Sequence, residues 1–201
     1  MNAKTSRRTK LFGHNEDGAA IVEFALIAPV FLLMVVGIFD FGFQLYAQSV
    51  VNGAMQAAGR DSTLEPGGPT PAQLDNSVSS RVHYVIPSAT IEFTRTNYED
   101  FRDVSQPERF DDTNGDGECN DGEPFEDLNG NGSFDLDRGR DGQGGADDAV
   151  LYVASATYDR MFPLSGMMGI PKSVTLSGAT VLRNQPFADQ GERNPVEGNC
   201  A

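Results

Sequence analysis

The residues best placed to do chemistry are carboxylates and carboxamides gathered in one glycine-rich stretch. Asp112, Asn114, Asp116, Gly117, Glu118, Asn120 and Glu123 stand at positions 1, 3, 5, 6, 7, 9 and 12 of the pattern D-x-[DN]-x-[DN]-G-x5-E. Calcium takes roughly six to eight oxygen ligands at about 2.3–2.6 Å, and alternate side chains of a tight loop converge to supply them. Gly at position 6 permits the turn, and a distal Glu closes the cage with both oxygens. In such a loop Glu118 would offer its backbone carbonyl, and Asn120 would act through water.

A second, partial loop follows. Asp127, Asn129, Asn131, Gly132, Ser133 and Asp135 fit positions 1, 3, 5, 6, 7 and 9, but position 12 is Arg138, so the closing ligand is expected to be another group such as Asp137. Asp137, Asp141, Gly142 and Asp148 form a weaker third echo. Pro124 follows the first loop at once, so these are calcium-loop-like turns in a repeat-like insert and not helix-loop-helix hands. Residues 99–148 hold 17 acidic and 4 basic side chains, a net of -13, which leaves -1 of the chain's -14 for everything else. So much like charge with so little apolar content is expected to stay unfolded unless divalent cations neutralise it. Calcium is therefore the expected cofactor, and a solvated, disordered loop is the alternative.

Other chemistry has little material. The chain has two histidines, His14 and His83, which leaves no basis for a histidine metal site or a Ser-His-Asp triad. No nucleophile-base pair is evident, so no enzyme is expected. The acidic insert also argues against nucleic acid as a partner. Cys119 and Cys200 lie in no metal-like cluster; in an oxidising compartment they are candidates for one disulfide, with free or intermolecularly paired thiols left open.

The element that must position this domain is the apolar run Gly18 to Phe39, GAAIVEFALIAPVFLLMVVGIF, with Glu23 as its single charge. From Ala19 to Phe39 it makes a helix of about 31 Å, the thickness of a bilayer's hydrocarbon core. The preceding polar segment carries Lys4, Arg7, Arg8 and Lys10 and lacks the pattern of a secretory signal peptide. Basic residues before the run and an acidic remainder predict a cytoplasmic N-terminus and an extracytoplasmic C-terminal domain. Glu23 is costly in hydrocarbon and calls for a partner. A cut after Gly18 would supply one, the free α-amino group of Ala19 on a neighbouring copy.

Gly18 followed by Ala-Ala-Ile-Val-Glu23-Phe24 resembles the prepilin peptidase site of type IV pilin-like proteins. Glu23-Phe24-Ala25-Leu26, Pro29, Tyr46-Ala47-Gln48, Asn52, Ala57-Ala58 and Arg60 further resemble the TadE-like segment of tight-adherence (Flp) pilus pseudopilins, over roughly residues 18 to 60. The resemblance implies a non-enzymatic assembly subunit of the bacterial inner membrane, processed at Gly18, Ala19, Glu23 and Phe24. It also implies partners: the prepilin peptidase, a second pseudopilin, the platform protein and the major pilin. A single-pass, membrane-anchored calcium-binding surface or adhesion protein is the alternative.

Beyond the run, helix-favouring residues continue to about Arg60, with Leu45, Val50, Val51, Ala54, Met55 and Ala58 as the expected inward stripe. Pro29 predicts a bend. LEPGGPTPA, 64–72, reads as a linker, and Thr70-Pro71 starts a short helix whose face is Leu74, Val78 and Val82. Strands are expected over Ala89–Asn97, Ala149–Tyr158 and Lys172–Asn184. Met161, Phe162, Leu164, Met167, Met168 and Ile170 in the last connection either cap the sheet or form a membrane- or subunit-facing patch. Pro186–Ala201 reads as a weakly ordered tail unless Cys200 is bridged. The expected organisation is a leader at 1–18, a transmembrane and membrane-proximal helix at 19–60, and an α+β domain at 61–201. That domain is a small antiparallel sheet of about three strands carrying the acidic calcium-loop-like insert at 99–148.

Overall fold

The computed structural model describes residues 17–62, 69–162, 166, 169–184 and 195–201. The basic leader, most of the linker, Leu164, Met167, Met168 and residues 185–194 lie outside them. Helix α1 runs Asp17–Ser62 and α2 Pro71–Val85. The strands are β1 Thr90–Tyr98, β2 Pro124–Asp127, β3 Arg140–Asp141, β4 Ala149–Asp159, β5 Ser173–Arg183 and β6 Val196–Asn199. The chain divides into two units, Met1–Gly42 and Phe43–Ala201.

In the first unit α1 passes through Pro29 without a break. Its apolar side chains face outward on every side: Ile21, Phe24, Leu26, Ile27, Val30, Phe31 and Met34 are all exposed. A helix apolar all round is suited to lipid and not to water. By length and composition α1 can cross a membrane.

The second unit is α+β. Strands β1, β4 and β5 form an antiparallel meander with β3 at one edge, in the order β3-β1-β4-β5. Thr90 pairs with Thr157 and Tyr98 with Ala149, while Asp159 pairs with Ser173 and Ala149 with Arg183. One face is apolar by simple alternation: Val150, Tyr152, Ala154, Ala156 and Tyr158 on β4, and Val174, Leu176 and Leu182 on β5. It packs on the two helices. From α1 come Ala47, Val51, Ala54, Met55 and Ala58, and from α2 come Leu74, Val78 and Val82. The α1 stripe differs from expectation at its start. Leu45 is exposed and Val50 only half-buried, because the inward face is set by Ala47 and its helical neighbours three and four residues on. At the crossing, a Cβ on Gly178 would lie 2.9 Å from Val51 Cγ1, so glycine there sets how closely α1 approaches β5.

Helix α2 starts as its sequence dictates. The N–H of Gln73 donates to Thr70 Oγ1, the N–H of Thr70 donates to Gln73 Oε1, and Pro71 fills the first turn. A polar network then fastens it to the sheet. Arg95 Nη2 donates to Asp75 Oδ1 at 2.5 Å and to the Pro71 carbonyl at 3.1 Å, and Tyr152 Oη donates to the same Asp75 oxygen at 2.5 Å. The guanidinium also lies over the Tyr152 ring, 4.4 Å from its centroid. Burial, followed by this bond to Asp75, pushes the Tyr152 phenol far above its ordinary range.

The described residues hold six strands where about three were expected. The extra ones are β3 and the two-stranded sheet β2-β6. Both involve the insert, and β6 comes from the stretch expected to be weakly ordered unless Cys200 is bridged, as it is here.

Candidate functional site

The insert between Tyr98 and Ala149 is built on a repeat: ERFDDTNGDG at 108–117 is echoed by EPFEDLNGNG at 123–132. The two copies fold alike. In the first loop the Asp112 carboxylate accepts from the N–H groups of Gly115, Asp116 and Gly117 at 2.6, 3.2 and 2.9 Å. In the second, Asp127 accepts from Gly130, Asn131 and Gly132 at 2.6, 3.2 and 2.8 Å. Asn114 and Asp116 in one loop, and Asn129 and Asn131 in the other, each accept from the N–H two residues ahead. Ser133 thus takes the place in the second loop that Glu118 takes in the first. Gly117 and Gly132 have φ of 80° and 81°, left-handed backbone that a side chain would strain.

The closing groups are exchanged between the copies. Glu123 Oε1 accepts from the Thr113 N–H at 2.8 Å, its hydroxyl at 3.1 Å and the Asn114 N–H at 3.2 Å, and Glu123 Oε2 accepts from the Asn120 N–H at 3.4 Å. The equivalent of Glu123 for the second loop is Glu108. It accepts from the N–H groups of Leu128, Asn129 and Asp135 at 2.8, 3.4 and 3.1 Å. Each glutamate opens one repeat and closes the loop of the other. Asp137, expected in this role, instead accepts from Tyr98 Oη at 2.9 Å and the Gly139 N–H at 3.1 Å. Glu108, Glu123 and Asp127 are only 2%, 3% and 3% exposed, and their N–H partners are what make that burial tolerable.

Inside each loop, carboxamides face carboxylates. Asn114 and Asn120 donate to Asp116 Oδ2 at 3.0 and 2.8 Å, while Asn129 and Asn131 donate to Asp135 Oδ2 at 2.7 and 2.5 Å. The bond from Asn120, then the N–H of Glu118, holds the Asp116 carboxyl below the usual aspartate range. Among the described residues no three His, Cys, Asp or Glu side chains gather as a metal-binding group. A cation in either loop would be held by a mixed set of Asp, Asn, Glu and main-chain oxygens. The third echo does not form a loop of its own: Asp141 sits in β3 opposite Thr96, and Asp148 accepts from the Gly145 N–H at 2.7 Å.

Two features hold the insert: an aromatic cluster, and the disulfide for which Cys119 and Cys200 were the candidates. Phe110 and Phe125, equivalent in the repeat, both meet Phe134 edge to face, with centroids 5.4 and 5.9 Å apart. Cys119 and Cys200 are joined by a disulfide with Cα atoms 5.3 Å apart, closing β6 onto the first loop. The Cys200 N–H also donates to the Glu123 carbonyl at 2.8 Å.

The other candidate residues lie at the start of α1. Gly18, Ala19, Glu23 and Phe24 are all helical and exposed, and a Cβ on Gly18 would meet nothing within 4 Å. Packing therefore gives no reason for glycine there. No curated protein and no solved structure matches the chain. What does match is the apolar helix and the turns that follow it: residues 18–60 fit the family model described as TadE-like protein, so this segment of the chain is TadE-like.

Proposed function

We propose that this protein is a structural, non-enzymatic pseudopilin that acts in assembly of a Flp-type tight-adherence pilus from the bacterial inner membrane. The observation that carries the reading is the TadE-like match lying over the helix that, among the described residues, is long and apolar enough to cross a membrane. In this reading a prepilin peptidase cuts after Gly18, where a side chain would hinder the scissile bond. Ala19 becomes the new N-terminus, Phe24 begins the packing surface, and Glu23 neutralises the terminal amine of a neighbouring subunit. The second pseudopilin, the platform protein and the major pilin are the partners, and the Phe43–Ala201 unit stands on the extracytoplasmic side.

The insert is the calcium-binding part of that unit. Asp112, Asn114, Asp116, Glu118, Asn120 and Glu123 serve one ion, and Asp127, Asn129, Asn131, Ser133, Asp135 and Glu108 serve the other. Supporting this is the matched fold of the two loops, each pairing carboxylates with carboxamide dipoles that calcium would replace. Calorimetric titration of the full chain in detergent is expected to show two sites filling at the high-micromolar to millimolar levels of extracellular modules. No heat at millimolar calcium would remove calcium from the account.

The N-terminus of the protein from native membranes decides the main reading. A start at Ala19, with loss of pili but retained cleavage in Glu23→Ala cells, is the expected result. An uncleaved chain would transfer the function to the insert, as a membrane-anchored calcium-binding adhesion module. The reciprocal glutamate closure favours that second reading, because it makes the insert a built structure and not a filler.

A further inference from the structure

The face of the β1-β4-β5 sheet turned away from the helices ends in a cleft. Even-numbered residues of β4 and β5 pack on α1 and α2, so the odd-numbered ones point the other way. On that outer face Leu151 stands beside Val181 and Val153 beside Ala179, an apolar strip two rows deep. Val181 is also a wall of a cavity of about 230 Å³ at the insert end of the sheet, where Ala149 pairs with Tyr98 and Arg183. That volume is below the roughly 300–1,000 Å³ of a site for a whole small molecule, and it suits a single long side chain.

The walls and rim of the cavity select which side chain. Phe101 and Val181, 66% and 36% exposed, join the buried Ala149 and Leu182 as apolar walls. The charges are three carboxylates, Glu99, Asp100 and Asp147, and one guanidinium, Arg183. Arg183 has its own counter-ion, because its Nη2 lies 3.4 Å from Asp147 Oδ1. Asp100 Oδ1 accepts from the Arg102 N–H at 3.0 Å, whereas Glu99 has no hydrogen-bond or ion-pair partner among the described residues. An aliphatic stem on apolar walls, with a cation at a carboxylate rim, is how lysine and arginine bury themselves. An aromatic wall favours arginine, whose flat guanidinium stacks on a ring while its N–H groups reach a carboxylate. The chain builds that arrangement once for itself, where Arg95 lies over the Tyr152 ring and donates to Asp75. The insert's net charge of -13 draws cations toward this end of the sheet.

We infer that this cleft docks an arginine of a partner protein, whose flanking residues lie on the strip formed by Leu151, Val153, Ala179 and Val181. The inference uses only the Phe43–Ala201 unit and holds whether or not the chain serves a pilus or binds calcium. The occupant is a polypeptide and not a free cation, because the strip continues the cavity wall and a free cation would leave it bare. The test uses the full-length chain in detergent with isotope-labelled alanine, leucine and valine methyl groups. The probes are acetyl-Val-Arg-Val-amide, its norleucine counterpart, which keeps the stem without the charge, and agmatine, which keeps the guanidinium without the flanks. Expected is saturable movement of the Ala149 and Val181 signals by the arginine peptide in the millimolar range, while Leu136 in the insert and Leu176 in the core stay in place. The other two probes should bind several-fold more weakly, and so should the arginine peptide to Glu99→Gln. Unmoved Ala149 and Val181 signals, or unchanged affinity in Glu99→Gln, would overturn the inference. Equal movement of Leu136, which is 79% exposed, would overturn it by showing diffuse attraction to the insert's carboxylates. Agmatine binding as tightly as the peptide would assign the cleft to a small free cation, and equal binding of the norleucine peptide would make it a merely apolar groove; either result overturns the docking of arginine. If Leu176 shows that Glu99→Gln has misfolded, the three probes on the parent chain decide alone.

Discussion

Glu108 and Glu123 each satisfy backbone N–H groups of a loop that neither could order alone, so truncating either orphans several donors at once. Each unpartnered donor costs about 1–3 kcal/mol where water cannot reach it. Glu108→Ala is expected to destabilise the second loop by about 3 kcal/mol, and Glu108→Gln by less because one acceptor oxygen remains. Urea unfolding of the solubilised chain measures both. Since the glutamates close each other's loops, the Glu108→Ala, Glu123→Ala double variant should lose less than the sum of the singles. Protonation probes the same residues from another side. Asp116 titrates below the ordinary aspartate value when folded, so its contribution is present above that value and is lost as pH falls through the depressed one. Tyr98 behaves oppositely. Burial, then its bond to Asp137, pushes the phenol up to about 12 from 10.0, so its contribution is intact below pH 10 and disappears as pH rises through 12. An alkaline unfolding profile measured by circular dichroism should show that loss in the parent and not in Tyr98→Phe.

Among the elements, α2 depends on more than its apolar stripe. Asp75 joins α2 to β1 through Arg95 and to β4 through Tyr152, and the Asp75 and Arg95 side chains are only 27% and 14% exposed. Asp75→Ala leaves the Tyr152 phenol without its acceptor and the Arg95 cation with the Pro71 carbonyl but no counter-charge, at a cost of about 3 kcal/mol. Hydrogen exchange should then show α2 opening ahead of the sheet, and equal protection in parent and variant would contradict this. Local pattern was enough to read α2 from its Thr70-Pro71 start and its Leu74, Val78 and Val82 face, and to place β1, β4 and β5 within about one residue at each end, because helix starts and period-two alternation are properties of adjacent residues. Asp75 was not legible, since it lies on the polar side of the helix and its partners are 20 and 77 positions away. Neither were β2 and β6, whose strands are four residues long and hide in a polar, glycine-rich background. Glu108 was missed for a different reason. The calcium-loop pattern searches forward from the first Asp, whereas the E-x-F-x-D-x-N-G-x-G repeat places the second loop's closing residue upstream of both loops.

At the scale of the whole molecule, the problem is how a unit with one strongly charged insert stays closed. The apolar core of α1, α2, β1, β4 and β5 contains no residue of the 99–127 stretch, and the insert relies instead on the phenylalanine cluster, the exchanged glutamates and one covalent tie. The disulfide spans 81 positions, and closing a loop of that size is worth about 4–5 kcal/mol in a chain-entropy account. Its effect should be concentrated where it acts. Gly198 lies against the Phe125 ring so closely that a Cβ would come within 2.4 Å of it, so β6 is the cover of the insert's aromatic cluster. Reduction frees β6 to leave, exposes Phe125, and lets the repulsion among the carboxylates of 99–148 act on a loop that has lost its cover. The expectation is that dithiothreitol abolishes amide protection in 108–127 and 196–200 while β4 keeps most of its own, and that added salt restores part of the loss by screening. Uniform loss across β4 and the insert would mean that the two fold as one cooperative unit, in which case the disulfide supports the helix-packed sheet as much as the loops it touches.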